Sequence, residues 1–198
     1  EVLFQRLFDE APSNRSLLLL ANAKWAAGDR EEANAVLENW LQDNADDAAI
    51  RNELAARELA LGNEEAARGH YEVLLTAVPE NPMVLNNLAW LSRETAPEKA
   101  LEYVQKAHEL VPDSIQILDT YAMVQRSLGN KEEALALSDQ VMSGTRAVGP
   151  DLEYHRALIL VDAGQTAEAI SILEELVAGP AFGQQADARA VLESIGGR

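Results

Sequence analysis

Cysteine is absent from the 198 residues. Disulfides and thiol catalysis are therefore excluded, and no redox compartment is selected. Lysine is scarce, with Lys24, Lys99, Lys106 and Lys131 the full set. Lysine and arginine together number 16 against 33 acidic residues, a net charge of −17. A nucleic-acid binder must neutralise phosphates, so this balance argues against such a partner. Long apolar runs are missing too. The best, residues 17–21, falls far short of the ~18 residues of a membrane span, so no membrane contact is expected of this segment. The sequence also lacks the glycine-rich phosphate loops, the nucleophile elbow, the His-Glu-x-x-His pattern and the EF-hand loop. His70, His108 and His155 sit at unrelated places and do not make a zinc set. No catalytic residue, cofactor or metal is expected. What is present is an ordinary globular composition, 47% hydrophobic and 25% charged, which argues against disorder.

The strongest positive signal is internal repetition. Alanines recur at Ala21, Ala55, Ala89, Ala122 and Ala157, spaced by 34, 34, 33 and 35 residues. A second set, Ala33, Ala67, Ala100, Ala134 and Ala169, follows the first by 12 residues, or 11 in the third case. Small side chains are needed where two helix backbones approach, and a larger one there overpacks at about 1–3 kcal/mol. Gly28, Gly62, Gly129 and Gly164 lie between the two sets, where a left-handed residue would end the first helix. This pattern resembles the tetratricopeptide (TPR) repeat, a 34-residue helix–turn–helix. The apolar spacing supports helices, as in Ala100, Leu101, Val104, Ala107 and Leu110. No stretch alternates as a strand would. The predicted helix pairs are 15–27 with 30–42, 48–61 with 64–77, 82–94 with 97–110, 115–128 with 131–143, and 151–163 with 166–178.

The expected architecture is all-α: a TPR solenoid of about five repeats, 15–47, 48–81, 82–114, 115–149 and 150–178. Residues 1–14 align with the second helices of later repeats, with Leu7, Leu74 and Ala107 in register and Pro12, Pro79 and Pro112 likewise. They read as the second helix of a preceding, truncated repeat, whose bare apolar side (Val2, Phe4, Leu7, Phe8) is expected to drive self-association through residues 1–10. Residues 179–198 carry the stripe Ala188, Val191, Leu192 and Ile195 and read as a capping helix and tail. The third repeat lacks the glycine, and Thr95 with Glu98 is expected to form a capping box. Asp29 with Glu32 and Asn130 with Glu133 are expected to act similarly. Repeat four should close in a longer loop over 143–150. The acidic residues Glu31, Glu32, Glu64, Glu65, Glu98, Glu132, Glu133 and Glu168 fall where a helix dipole favours negative charge.

The first helices of TPR arrays line a groove, and the residues flanking the first alanine set point towards it. These are Asn52 in repeat two; Asn86, Asn87, Trp90 and Arg93 in repeat three; Asp119, Met123 and Arg126 in repeat four; and Tyr154 in repeat five. His155 adjoins Tyr154, and Asn22 is the matching residue of repeat one. Asparagine can pair with both donor and acceptor of an extended backbone. Trp90, Met123 and Tyr154 offer apolar area, and Arg93 with Arg126 an anion site. The competing reading has Trp90 packed between repeats and both arginines paired with nearby Glu residues. Trp40 is expected to fill the junction with repeat two, and Trp25 is left open. The expected partner is a protein or peptide held in this groove.

Nearly the whole chain resembles bacterial TPR proteins, and within them the C-terminal part of the PEP-CTERM-system TPR proteins of the PrsT type. The likeness is carried by NNLAWL at 86–91, PEKALEYVQKAHELVPDS at 97–114, ILDTYAMVQRSLGNKEEAL at 117–135, EYHRALILVDAGQTAEAISILEEL at 153–176 and ARAVL at 188–192. It implies a non-catalytic scaffold of the bacterial envelope or periplasm, linked to exopolysaccharide assembly or exosortase-type sorting, in a family whose full-length members are often lipoproteins. A cytoplasmic TPR adaptor, a carbohydrate-binding module using Trp90 and Tyr154, and the TPR part of a larger enzyme stay open as alternatives. TPR co-chaperones clamp a carboxylate with Lys, Asn and Arg; here no lysine falls at the groove positions.

Overall fold

The computed structural model describes residues 1–144 and 148–196, and among them every regular element is helical. Two compact units divide the chain, Glu1–Pro79 and Glu80–Arg198. The first contains α1 (Val2–Glu10), α2 (Asn14–Ala27), α3 (Arg30–Asp43), α4 (Ala48–Ala60) and α5 (Glu64–Ala77). The second contains α6 (Pro82–Ser92), α7 (Pro97–Leu110), α8 (Ile115–Ser127), α9 (Lys131–Ser143), α10 (Pro150–Asp162), α11 (Thr166–Ala178) and α12 (Gln185–Gly196). The ten repeat helices agree with the predicted spans to within two residues.

The alanines explain why the helices pair as they do. All ten are buried. α2 packs on α3, α4 on α5, α6 on α7, α8 on α9 and α10 on α11. Neighbouring pairs join through α3 with α4, α7 with α8 and α9 with α10. Gly28, Gly62, Gly129 and Gly164 have φ of +96°, +80°, +79° and +81°. In each turn the residue after the glycine donates its N–H to a carbonyl five residues back, as Asn130 does to Gln125. This closes the open carbonyls of the first helix and reverses the chain.

The capping expectations need correction. α7 starts at Pro97 with Ala96, not Thr95, as its N-cap, and no side chain caps it. A residue before proline avoids the helical region, and Ala96 takes φ −150°. That moves the helix start one residue past the expected box. Instead Ser92 O accepts the N–H groups of both Thr95 and Ala96. Asp29 and Asn130 do sit at N-cap positions, but neither side chain makes a capping bond. Asn130 reaches back to Gln125 Oε1 at 2.8 Å, and Asn63 to Glu58 Oε2 at 2.7 Å. These amides tie the turn to the first helix. True side-chain caps lie on the first helices: Ser13, in a capping box with Ser16, then Asp47, Asn81 and Ser114. The first-turn glutamates stand where they were expected.

At the ends, α1 buries no residue. Val2 is 86% exposed, while Phe8 packs against the Leu17–Leu37–Ile50 cluster. α12 packs on α11, placing Val191, Leu192 and Ile195 against Tyr154, Leu173 and Leu176 around buried Ala188. The expected loop over 143–150 and the terminal tail lie partly outside the described residues.

Candidate functional site

In the second unit the first helices α6, α8 and α10 lie side by side, α8 touching both neighbours. Their side chains meet in a stack of alternating character. Trp90 of α6 rests on the cluster of Leu118, Ala122 and Met123. The guanidinium of Arg93, one turn on, lies over its ring at 3.7 Å and donates to the Trp90 carbonyl. The His155 ring of α10 comes to 5.1 Å of the Trp90 ring, tilted by 40°. Trp90 therefore belongs to both readings: it packs between repeats and carries a cation on its surface. Arg93 and His155 occupy its ring, so it is not an open sugar platform.

Asp119 of α8 holds His155 in place. Asp119 Oδ2 and His155 Nδ1 are 2.7 Å apart and both residues are buried. The carboxylate accepts from Nδ1–H, which leaves Nε2 to look elsewhere. His155 is 6% exposed, and its Nε2 is buried without a hydrogen-bond partner. Asn86, on the Trp90 face of α6 one turn earlier, is 8% exposed with its Oδ1 equally orphaned. Buried polar groups are normally satisfied, and leaving one bare costs about 1–3 kcal/mol. The two atoms lie beneath the same face of α6, α8 and α10, and Asn34 Oδ1, His108 Nδ1 and Gln184 Oε1 are buried in the same way elsewhere in the chain. Asn87 is half-buried next to Asn86.

The remaining expected residues divide. Met123, 3% exposed, is a core residue of the α8–α9 cluster and offers no anchor to a ligand. Tyr154, 7% exposed, is walled in by α11 and α12, and burial, with Asp187 second, pushes its hydroxyl pKa up. Both were expected to face outwards. They turn inwards because the cap helix and the next repeat cover that side, which no local spacing reveals. Arg126 does not pair with Arg93 in one anion site: it is bound to Asp162 at 2.7 Å, and Arg93 stands 3.5 Å from Glu94. Both arginines are thus taken by acids of their own chain, Arg93 by a Glu as expected and Arg126 by an Asp in place of the expected Glu. Asn52 is exposed on α4 of the first unit, and Asn22 there accepts from buried Arg57.

The Asp119–His155 pair is what sequence reasoning missed. Its one signal was an acid in repeat four at the place where repeat three has Asn86. Among the described residues no three His, Asp or Glu side chains gather as a metal site. No helix of the described residues is long and apolar enough to cross a membrane.

The sequence matches no family model and no curated protein. Solved structures do match. A TPR protein from Parabacteroides merdae superposes with a TM-score of 0.80 at 19% identity, covering 96% of this chain and 77% of that one. YrrB, a TPR protein with an unusual peptide-binding site, gives 0.63 at 20% identity over 87% of this chain and 89% of its own. PilF of Pseudomonas aeruginosa gives 0.64 at 17% identity, over 92% and 88%. Likeness at this identity speaks to fold, and the fold of this chain is the all-α TPR solenoid.

Proposed function

We propose that this chain is a non-catalytic protein-interaction scaffold, and that the α6–α8–α10 face holds an extended segment of its partner. The observation that carries the reading is the pair of orphaned polar atoms, Asn86 Oδ1 and His155 Nε2, beside Trp90 and Arg93. Donors on a peptide backbone would satisfy such acceptors once the two side chains turn out to the face. The TPR fold supports the same reading, since a structural neighbour is a TPR protein with a peptide-binding site. The likeness to PEP-CTERM-system TPR proteins supports a bacterial envelope setting connected with exopolysaccharide export or exosortase-type sorting. A cytoplasmic adaptor is the rival, and fractionation of the natural full-length protein separates the two.

Asn86→Leu tests the face directly. Leucine has similar bulk and removes the unsatisfied amide, so stability should hold or rise by about 1 kcal/mol. Binding to a partner recovered from envelope extract should fall about tenfold. Glu132→Ala, exposed on α9, should bind as wild type. Unchanged binding by Asn86→Leu sinks the reading, as does a loss of stability, which would make Asn86 a structural residue.

A further inference from the structure

A cleft of about 450 Å³ opens in the first unit between α1 and α3, above Leu20 of α2. The half-buried rings of Phe8 and Trp40 meet across it edge to face, with centroids 6.0 Å apart. Trp40 is locked, because its indole N–H donates to Asp47 Oδ2 at 2.9 Å. We propose that this cleft receives an arginine side chain from a basic segment of a partner protein, the guanidinium lying against Trp40 and pairing with Asp43.

Three observations converge on that chemistry. First, the other two tryptophans already carry guanidinium groups of their own chain: Arg57 and Arg30 stand 5.1 and 5.5 Å from the Trp25 ring, and Arg93 stands 3.7 Å from the Trp90 ring. Among the described residues no cation lies over Trp40, although it lines an open cleft. Second, the one charged group at the rim is an unpaired carboxylate. Asp43 is exposed and forms no ion pair among the described residues. Gln5 gives one of its two amide N–H groups to Asp9, and Asn44 one of its two to the Trp40 carbonyl, so each keeps a carbonyl oxygen and one N–H. Asn39 accepts from Gln42 and keeps both of its N–H groups. Third, no lysine or arginine lines the cleft, and the chain carries a net charge of −17. A planar, donor-rich cation suits an aromatic wall beside a free carboxylate and amide carbonyls. An anion would be repelled by Asp43 and by the net charge.

The test uses the whole chain and two capped octapeptides of alternating residues, one of arginine and glycine and one of citrulline and glycine. Citrulline keeps the shape and removes the charge. The arginine peptide should shift the Trp40 indole N–H resonance, and the citrulline peptide should bind far more weakly. Asp43→Asn, which alters an exposed side chain, should weaken arginine-peptide binding about tenfold, whereas Glu132→Gln, the same charge change on α9, should alter it less than twofold. Equal loss in the two variants would mean diffuse attraction and would overturn the proposal. So would equal binding of the citrulline peptide, a Trp40 signal that stays still, absence of binding, or binding of a neutral oligosaccharide in its place. These outcomes are independent of Asn86→Leu, which probes the other unit.

Discussion

Ala55 and Ala134 are buried where paired helices meet, so a branched side chain has nowhere to go without pushing a helix aside. Ala55→Leu or Ala134→Leu should cost about 1–3 kcal/mol, read from the urea midpoint; no shift in either would contradict the packing. The turn glycines are constrained differently. A Cβ on Gly129 would meet nothing within 4 Å, yet its φ is +79°. The cost of Gly129→Ala is therefore conformational alone, about 1–2 kcal/mol, and Gly129→Asn should lose less because asparagine tolerates that region. His70 gives a pH signature. Burial, followed by nearby Arg51, lowers its pKa, against a smaller opposing pull from Glu58 and Glu38. The unfolded chain thus binds the proton first as pH falls below about 6.5, and stability drops between that value and the lowered one. His70→Gln should flatten this part of the stability–pH curve, while a curve identical to wild type would leave His70 without a role in it.

At the level of elements, α6 shows why a groove residue cannot be judged from its register. Trp90 has the spacing of a surface position, yet it rests on the α8 cluster and touches His155 of α10. Trp90→Ala should therefore destabilise the second unit by about 3 kcal/mol as well as weaken binding, and denaturation curves measure the first effect by itself. A variant that keeps wild-type stability would put Trp90 outside the packing. α12 is legible in the opposite sense. Its stripe at Ala188, Val191, Leu192 and Ile195 predicted a one-sided helix, and that side closes the cluster of Tyr154, Leu173 and Leu176. Leu192→Asp should peel α12 away. Faster amide exchange confined to α10–α12, with α2–α5 unchanged, is the expected result; uniform exchange rates would show that α12 is not a cap.

Across the whole molecule, a net charge of −17 on 198 residues makes self-repulsion a standing cost of the folded state. Screening by salt relieves it, so Tm should rise between low and moderate sodium chloride, and a flat or falling Tm would mean that local ion pairs such as Arg126–Asp162 outweigh the repulsion. The backbone plan was readable from residue order because it depends on short-range constraints. A small residue every turn-and-return and a glycine at four of the five reversals fix helix pairs locally, and those helices appear within two residues of expectation. Side-chain chemistry was not readable in the same way. Met123 and Tyr154 face inwards, Arg126 is taken by Asp162, and Asp119 clasps His155 from a helix 36 residues away. Each of these pairings joins different repeats, so it depends on how α8 meets α10 and how α12 folds back. Periodicity along one helix carries no information about which neighbour will cover it; only packing in three dimensions decides which polar atoms are satisfied and which are left waiting for a partner.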